Sequence, residues 1–240
     1  MNWNRKELYD LVVKRHGQPQ ADLLMPSLIS TVWKLSIAQY HAHEAQTIIG
    51  KLSSHSSKDE YVEIVKLIFE QDAGSDRGRE VTLAKFQAEA KIIACAQAVH
   101  SIADIFSQII YLGLNLDKHL KKPILENNRY LMAVNQQLTN LPLFNKLQLK
   151  LNDFLTSKQF QYLSAYVNTT KHRSLIPSTY SISFAENIEP IHGLKISEFL
   201  YKGVLHKAKW SKEFFKDDIN FFTTSFAGIG NEMNLCINLS

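Results

Sequence analysis

The sequence predicts a mainly α fold, a multi-helix bundle with a small β hairpin near residues 178–206. Apolar residues recur through most of the chain at the three- and four-residue spacing of a helix face. Prolines and glycine-containing breaks fall between these runs and divide them into separate helices. Only after Pro177 does the period drop to two, in Tyr180-Ser181-Ile182-Ser183-Phe184, as a strand requires.

Leu8, Leu11 and Val12 mark a first helix of about three turns, which Gly17-Gln18-Pro19 ends. A longer helix is expected from Pro26-Ser27 to Gly50, with Leu28, Val32, Leu35 and Ile48-Ile49 on its apolar side. The polar tract Ser53 to Ser57 forms a linker, and its last serine can cap a helix over Asp59–Glu70. Asp72 to Arg79, with two glycines and mixed charge, is expected as a loop. The longest helix then runs from Glu80 to Leu114. After a break at Leu116–Pro123, Pro123 suits the first turn of a helix through Leu138. Pro142 opens another to about Phe154. Lys158–Leu175 follows and Pro177 stops it. Tyr180–Phe184 and Leu194–Leu205 are the strands, the second enriched in Phe, Tyr and Val. Lys212–Leu239 closes the chain as a phenylalanine-rich helix.

A chain of 240 residues is long enough to bury a substantial core. No internal repeat or composition shift divides it, so a single domain over 1–240 is expected, with 80–240 as its core and 1–75 adding N-terminal helices. Hydrophobic residues at 45% and charged ones at 21% exclude extensive disorder. A formal charge of +4 permits RNA or another polyanion as partner, without the dense basic stripe of a dedicated nucleic-acid module. The two cysteines, Cys95 and Cys236, make no disulfide framework or Cys-x-x-Cys site, which fits a reducing compartment. The N-terminus lacks the apolar core of a signal peptide. The run Ile92–Leu116 is interrupted by Gln97, His100, Asp104 and Gln108, too polar to span a membrane. We therefore expect a cytoplasmic protein with no membrane partner.

The densest chemistry lies in Tyr166-Val167-Asn168-Thr169-Thr170-Lys171-His172-Arg173. Asn168 and His172 stand four apart and so share a helix face. His172 can take or give a proton near neutral pH, Lys171 and Arg173 can bind phosphate, and Tyr166 offers a stacking surface for a base. The competing reading is a helix C-terminus decorated with cations that complement its dipole. On the long helix, Glu89, His100 and Ser107 fall in one sector with Asp104 close by. A carboxylate there can fix the tautomer of His100, although a plain helix-packing face is the commoner meaning of such a stripe. His41, His43 and Glu44 lack the Glu-x-x-His repeats of a di-metal bundle, so no metal is expected. Gly228-Ile229-Gly230 lacks a third glycine, and no P-loop or nucleophile elbow occurs. No cofactor is expected either.

The window Val167-Asn168-Thr169-Thr170-Lys171-His172 resembles the motif of the HEPN superfamily (higher eukaryotes and prokaryotes nucleotide-binding). These are α-helical bundles whose active members carry an arginine, often followed by asparagine, with a histidine a few residues on. Asn168 and His172 match the polar and histidine positions, and Val167 stands where the motif has arginine. Loosely, the resemblance extends over residues 80–240: a long helix with a polar stripe, a Lys-His-Arg ending, a β excursion and a closing helix. It implies a homodimer of the defence or toxin–antitoxin type, acting on RNA as a metal-independent endoribonuclease. In that reading His172 is the acid–base group and Asn168 its polar partner. Arg173 is the cation nearest to replacing the missing arginine, though about 100° around the helix from His172. Lys171, Arg173, Tyr166, His100, Asp104 and Glu89 complete the expected binding set. Val167 keeps a second expectation open, a non-catalytic nucleotide-binding or dimerisation module.

Overall fold

A computed structural model of the chain describes residues 3–53, 65–66, 68–69, 75–183 and 191–239. In chain order the helices are α1 (Arg5–His16), α2 (Gln18–Ser53), α3 (Asp76–Gly113), α4 (Leu131–Leu138), α5 (Asn145–Thr156), α6 (Lys158–His172) and α7 (Ile219–Leu239). Between α6 and α7 lie β1 (Ser178–Ser183), β2 (Ile191–Ile196), β3 (Phe199–Tyr201), β4 (Val204–His206) and β5 (Lys209–Trp210). The mainly α class with a small β excursion is what the sequence predicts.

Several boundaries differ from expectation, each for a local reason. The second helix starts at Gln18, not near Pro26, because Pro19 falls in its first turn, where no N–H is needed. Pro26 is carried inside the helix, at the loss of one internal hydrogen bond. The long helix starts at Asp76, so Arg77 and Arg79 belong to its first turn rather than to a loop. They pair there with Glu80 and Asp76. Pro123 opens no helix; short 3-10 turns at Leu116–Lys118 and Glu126–Asn128 intervene, and α4 begins only at Leu131. The helix carrying Asn168 ends at His172, short of Leu175. The linker at 54–57, nearly all of Asp59–Glu70, residues 72–74 of the expected loop, and Phe184 lie outside the described residues.

The chain forms two compact units. The first comprises Met1–Ser36, Ala98–Leu163 and Asn220–Ser240. Its core includes Leu8 and Val12 of α1, Ile102 and Phe106 of α3, and Leu147 and Leu151 of α5, with Phe222 and Met233 of α7. Phe106 lies 5.2 Å from Trp3 and 4.8 Å from Phe226 between ring centroids. Asn234 accepts from the Trp3 indole N–H at 3.3 Å and donates to the Asn4 carbonyl at 3.1 Å and to Glu7 at 2.9 Å. The first helix is thereby latched to the last, and its own N-terminus is capped by Asn4, which accepts from the Glu7 N–H at 3.1 Å.

The second unit comprises Ile37–Gln97 and Ser164–Ile219. Its three-stranded antiparallel sheet has the order β1-β2-β5, with Ser178 opposite Ile196 and Lys195 opposite Trp210. A separate two-stranded ladder pairs Phe199 with His206 and Leu200 with Leu205. Lys202 and Gly203 turn this hairpin with φ of 49° and 80°, the positive values a two-residue type I′ turn requires. After β5 a helical turn (Ser211–Glu213) leads into a π-type turn, Phe214–Asp218. The wider turn brings Phe214, Phe215 and Asp218 all to the interior.

Among the described residues one helix, α3, has the length and hydropathy of a membrane-crossing segment, with mean hydropathy 1.3 over its most apolar window. Of that window 56% is buried inside the protein, as in a core helix.

Candidate functional site

Helix α6 places the candidate cluster. Within the second unit, its residues Ala165, Tyr166, Val167 and Thr169 are buried, and full exposure begins at Lys171. There the N–H groups of Arg173 and Ser174 both donate to the Thr169 carbonyl, at 2.9 and 3.1 Å, and close the last turn. Lys171, His172 and Arg173 are all exposed. Among the described residues none of the three has a carboxylate partner. The Arg173 guanidinium lies 5.0 Å from the centroid of the Tyr201 ring, in cation–π contact with the hairpin. Lys202, at the hairpin turn, approaches the same ring to 5.4 Å.

Asn168 is half-buried and turned back along its own helix. Its Nδ2 donates to the Ser164 carbonyl at 2.8 Å and reaches the Ser164 hydroxyl at 3.3 Å. The side-chain carbonyl of Asn168 is therefore the end left to meet a ligand. Asn168 and His172 do share one helix, four residues apart, as the spacing requires.

Tyr166 corrects its expected role. It is 2% exposed, packed edge-on against Phe199 at 6.0 Å, and offers no face to a base. Burial, then the charge of Glu89 and the neighbouring Cys95, push its phenol well above the usual range. Val167 is 1% exposed, so the position where the resemblance has arginine is directed into the core.

The expected stripe on α3 does not form one site. Glu89 accepts from the backbone N–H of Ser178 at 2.5 Å and thereby anchors the start of β1. The His100 ring stacks on Phe160, nearly parallel at 5° with centroids 6.1 Å apart. Ser107 is fully buried and donates to the carbonyls of Asp104, at 2.6 Å, and of Arg129. Asp104 is exposed and lines a shallow cleft of about 430 Å³ with Ser30, Gln108, Glu126 and Tyr130. Each residue of the stripe thus has its own local task.

No group of three or more metal-ligating side chains occurs among the described residues. His41 is held below its usual range by burial and by Lys91, against the opposing pull of Glu44. Burial pushes the Cys95 thiol up to about 12 and that of Cys236 up to about 11. Neither is a thiolate nucleophile near neutral pH.

The pairing of Tyr201 and Lys202 with the end of α6 escapes the sequence reading, whose single strand Leu194–Leu205 merges the end of β2 with β3 and most of β4. The signal is present: Lys202-Gly203 between Phe199-Leu200-Tyr201 and Val204-Leu205-His206 is a two-residue turn between strand formers.

No protein-family model, curated protein or solved structure matches this chain.

Proposed function

We propose that this is an RNA-directed, HEPN-like protein of the defence or toxin–antitoxin type, which meets RNA through the C-terminal end of α6. The observation that carries this reading is the exposed run Lys171-His172-Arg173, free of carboxylate partners among the described residues. Arg173 and Lys202 flank one tyrosine ring, Tyr201. Cations beside an aromatic ring suit a strand that offers phosphates and bases together. A helix C-terminus alone accounts for cations near its last carbonyls, but not for an arginine extended over a ring on a separate hairpin.

In the catalytic form of this reading His172 accepts the ribose 2′-OH proton as the oxygen attacks the adjacent phosphorus. Departure of the 5′ oxygen then leaves a 2′,3′-cyclic phosphate. That step also needs a proton donor for the leaving oxygen and a cation for the equatorial oxygens. A second copy of the chain, presenting its own α6 end across a homodimer, supplies both. The burial of Val167 favours a second reading, in which the same surface binds RNA or a nucleotide without cleaving it.

The test is a pair of assays in EDTA. Wild type and His172→Ala are compared for RNA cleavage with analysis of fragment ends, and wild type and Lys171→Gln/Arg173→Gln for RNA binding across a salt series. The double variant should lower the salt slope of binding by about 0.7 for each phosphate that it no longer neutralises. Cleavage to 2′,3′-cyclic ends that disappears in His172→Ala supports the catalytic form. Binding without cleavage supports the second reading, and binding indifferent to Lys171 and Arg173 refutes both.

A further inference from the structure

A second cluster of cations lies in the first unit. Between α3 and α4 the chain runs through Leu116–Lys118 and Glu126–Asn128, and the segment between them is fastened at several points. Tyr111, 1% exposed, donates its hydroxyl proton to Asp117 at 2.5 Å and accepts the Ile124 N–H at 3.0 Å. Arg129 donates from Nε to the Ile124 carbonyl at 3.0 Å, while its guanidinium sits 4.1 Å from the Tyr111 ring centroid. The segment starts from Asn115, held in the left-handed region at φ 48°. Leu116 is fully buried beneath it. This is irregular chain in a fixed shape.

Between that segment and the C-terminal end of α4 opens a cleft of about 750 Å³. Its cationic wall is His119, Lys121 and Lys122, and its polar wall is Asn128, Gln137 and Asn140. Leu120, Leu125 and Leu141 supply apolar surface, Leu125 being 67% exposed. Among the described residues no carboxylate lines it. The nearby Asp117 already accepts the Tyr111 proton, and neither Lys121 nor Lys122 has an ion-pair partner among the described residues. Burial, then the nearby charges of Lys118 and His119, hold His16 below its usual range.

We propose that this cleft binds a nucleoside phosphate. Its volume lies within the roughly 300–1,000 Å³ of small-molecule sites and encloses one nucleotide rather than a strand. Lys121 and Lys122 meet the phosphate as strongly hydrated point charges, and His119 adds a ring donor. The three carboxamides each offer donors and an acceptor together, as the edge of a nucleobase demands. The leucines cover the faces of the ring. An amine or metal cation finds no anionic group among these lining residues. A free nucleotide and the terminal nucleotide of an RNA strand carry the same groups, and the experiment separates them.

The test is calorimetric titration of the full chain with AMP, adenosine, inorganic phosphate and a 5′-phosphorylated trinucleotide. Lys121→Gln/Lys122→Gln serves as the site variant, and Asn140→Ala with Gln137→Ala as the base-edge variant. All these positions are exposed or half-buried, and equal melting temperatures verify the fold. AMP should bind, with affinity at least about tenfold above adenosine and about tenfold lower in the lysine variant, the equivalent of roughly 1.4 kcal/mol. The base-edge variant should weaken AMP but not phosphate. A trinucleotide that binds more tightly than AMP assigns the cleft to a strand end; the reverse assigns it to a free nucleotide. No heat from either nucleotide ligand, AMP binding indifferent to the two lysines, or inorganic phosphate displacing AMP at equal concentration overturns the proposal. None of these readouts involves RNA cleavage, so its failure and that of the α6 reading are separate results.

Discussion

Lys209 holds a buried carboxylate, so its replacement should cost more than that of an exposed lysine. Its ammonium meets Asp218 Oδ2 at 2.6 Å, with the two side chains 22% and 6% exposed. Lys209→Met keeps the length of the stem and removes the charge, which leaves Asp218 buried within the π-type turn without its partner. Breaking a buried pair from one side costs about 3–5 kcal/mol, against about 0–1 for an exposed pair. For a chain of this size that lowers the melting temperature by roughly 10 °C. The pH dependence gives a second, sharper test. Burial already holds Asp218 above the usual carboxylate range, and Lys209 opposes that shift. A carboxyl raised on folding keeps its proton better folded than unfolded. Its contribution is therefore fully present below the unfolded pKa and is lost as pH rises through the folded one. Removing Lys209 raises the folded value further, so the penalty must be largest near neutrality and shrink as pH falls toward the ordinary carboxylate range. Urea denaturation of wild type and variant at several pH values reads this directly. A loss under about 1 kcal/mol at pH 7, or one that grows as the solution is acidified, refutes the assignment of Asp218 as a buried, partner-dependent carboxylate.

Two further substitutions examine the packing. A Cβ added at Gly230 would fall inside the Trp3 indole, so Gly230→Ala should destabilise the first unit by about 1–3 kcal/mol and shift the tryptophan emission as Trp3 is displaced. Val167→Arg restores the residue that the HEPN resemblance asks for, but at a position 1% exposed. It should lower stability by roughly 3 kcal/mol or more without creating RNA cleavage, and a stable variant that gains cleavage in EDTA would show that Val167 is not confined to the core.

The helices are legible in the sequence because their signal is local. The three-four spacing of Leu8, Leu11 and Val12 and the arrest before Pro177 need no knowledge of distant residues. Boundaries depart from expectation where tertiary packing overrides local preference. Pro26 ordinarily ends a helix, yet Leu24 and Leu28 on either side are buried, and their burial outweighs one missing hydrogen bond. The π-type turn at Phe214–Asp218 is equally hidden, because its justification is the buried pairing of Asp218 with Lys209. Nothing in the intervening residues announces that pair.

The candidate site divides along the same line. Spacing on a single helix singles out Asn168, Lys171, His172 and Arg173, and the structure keeps all four at the end of α6. Tyr166 is misjudged because helical angles rank residues relative to one another and do not say how many faces the protein will cover. Here α6 is covered on both the Val167 and the Tyr166 sides. The grouping of Glu89 with His100 and Asp104 fails for the complementary reason. On a helix as long as α3, a shared angular sector says nothing about shared depth along the axis. Glu89 and Asp104 are fifteen residues apart, about 22 Å of rise, and they meet different neighbours. A constellation within one or two turns is a physical neighbourhood, and one strung over about four turns is only a direction. By that measure Lys171-His172-Arg173 with Tyr201 is a neighbourhood compact enough in sequence to be noticed, whereas Lys121-Lys122 with Asn140 is assembled only by the fold.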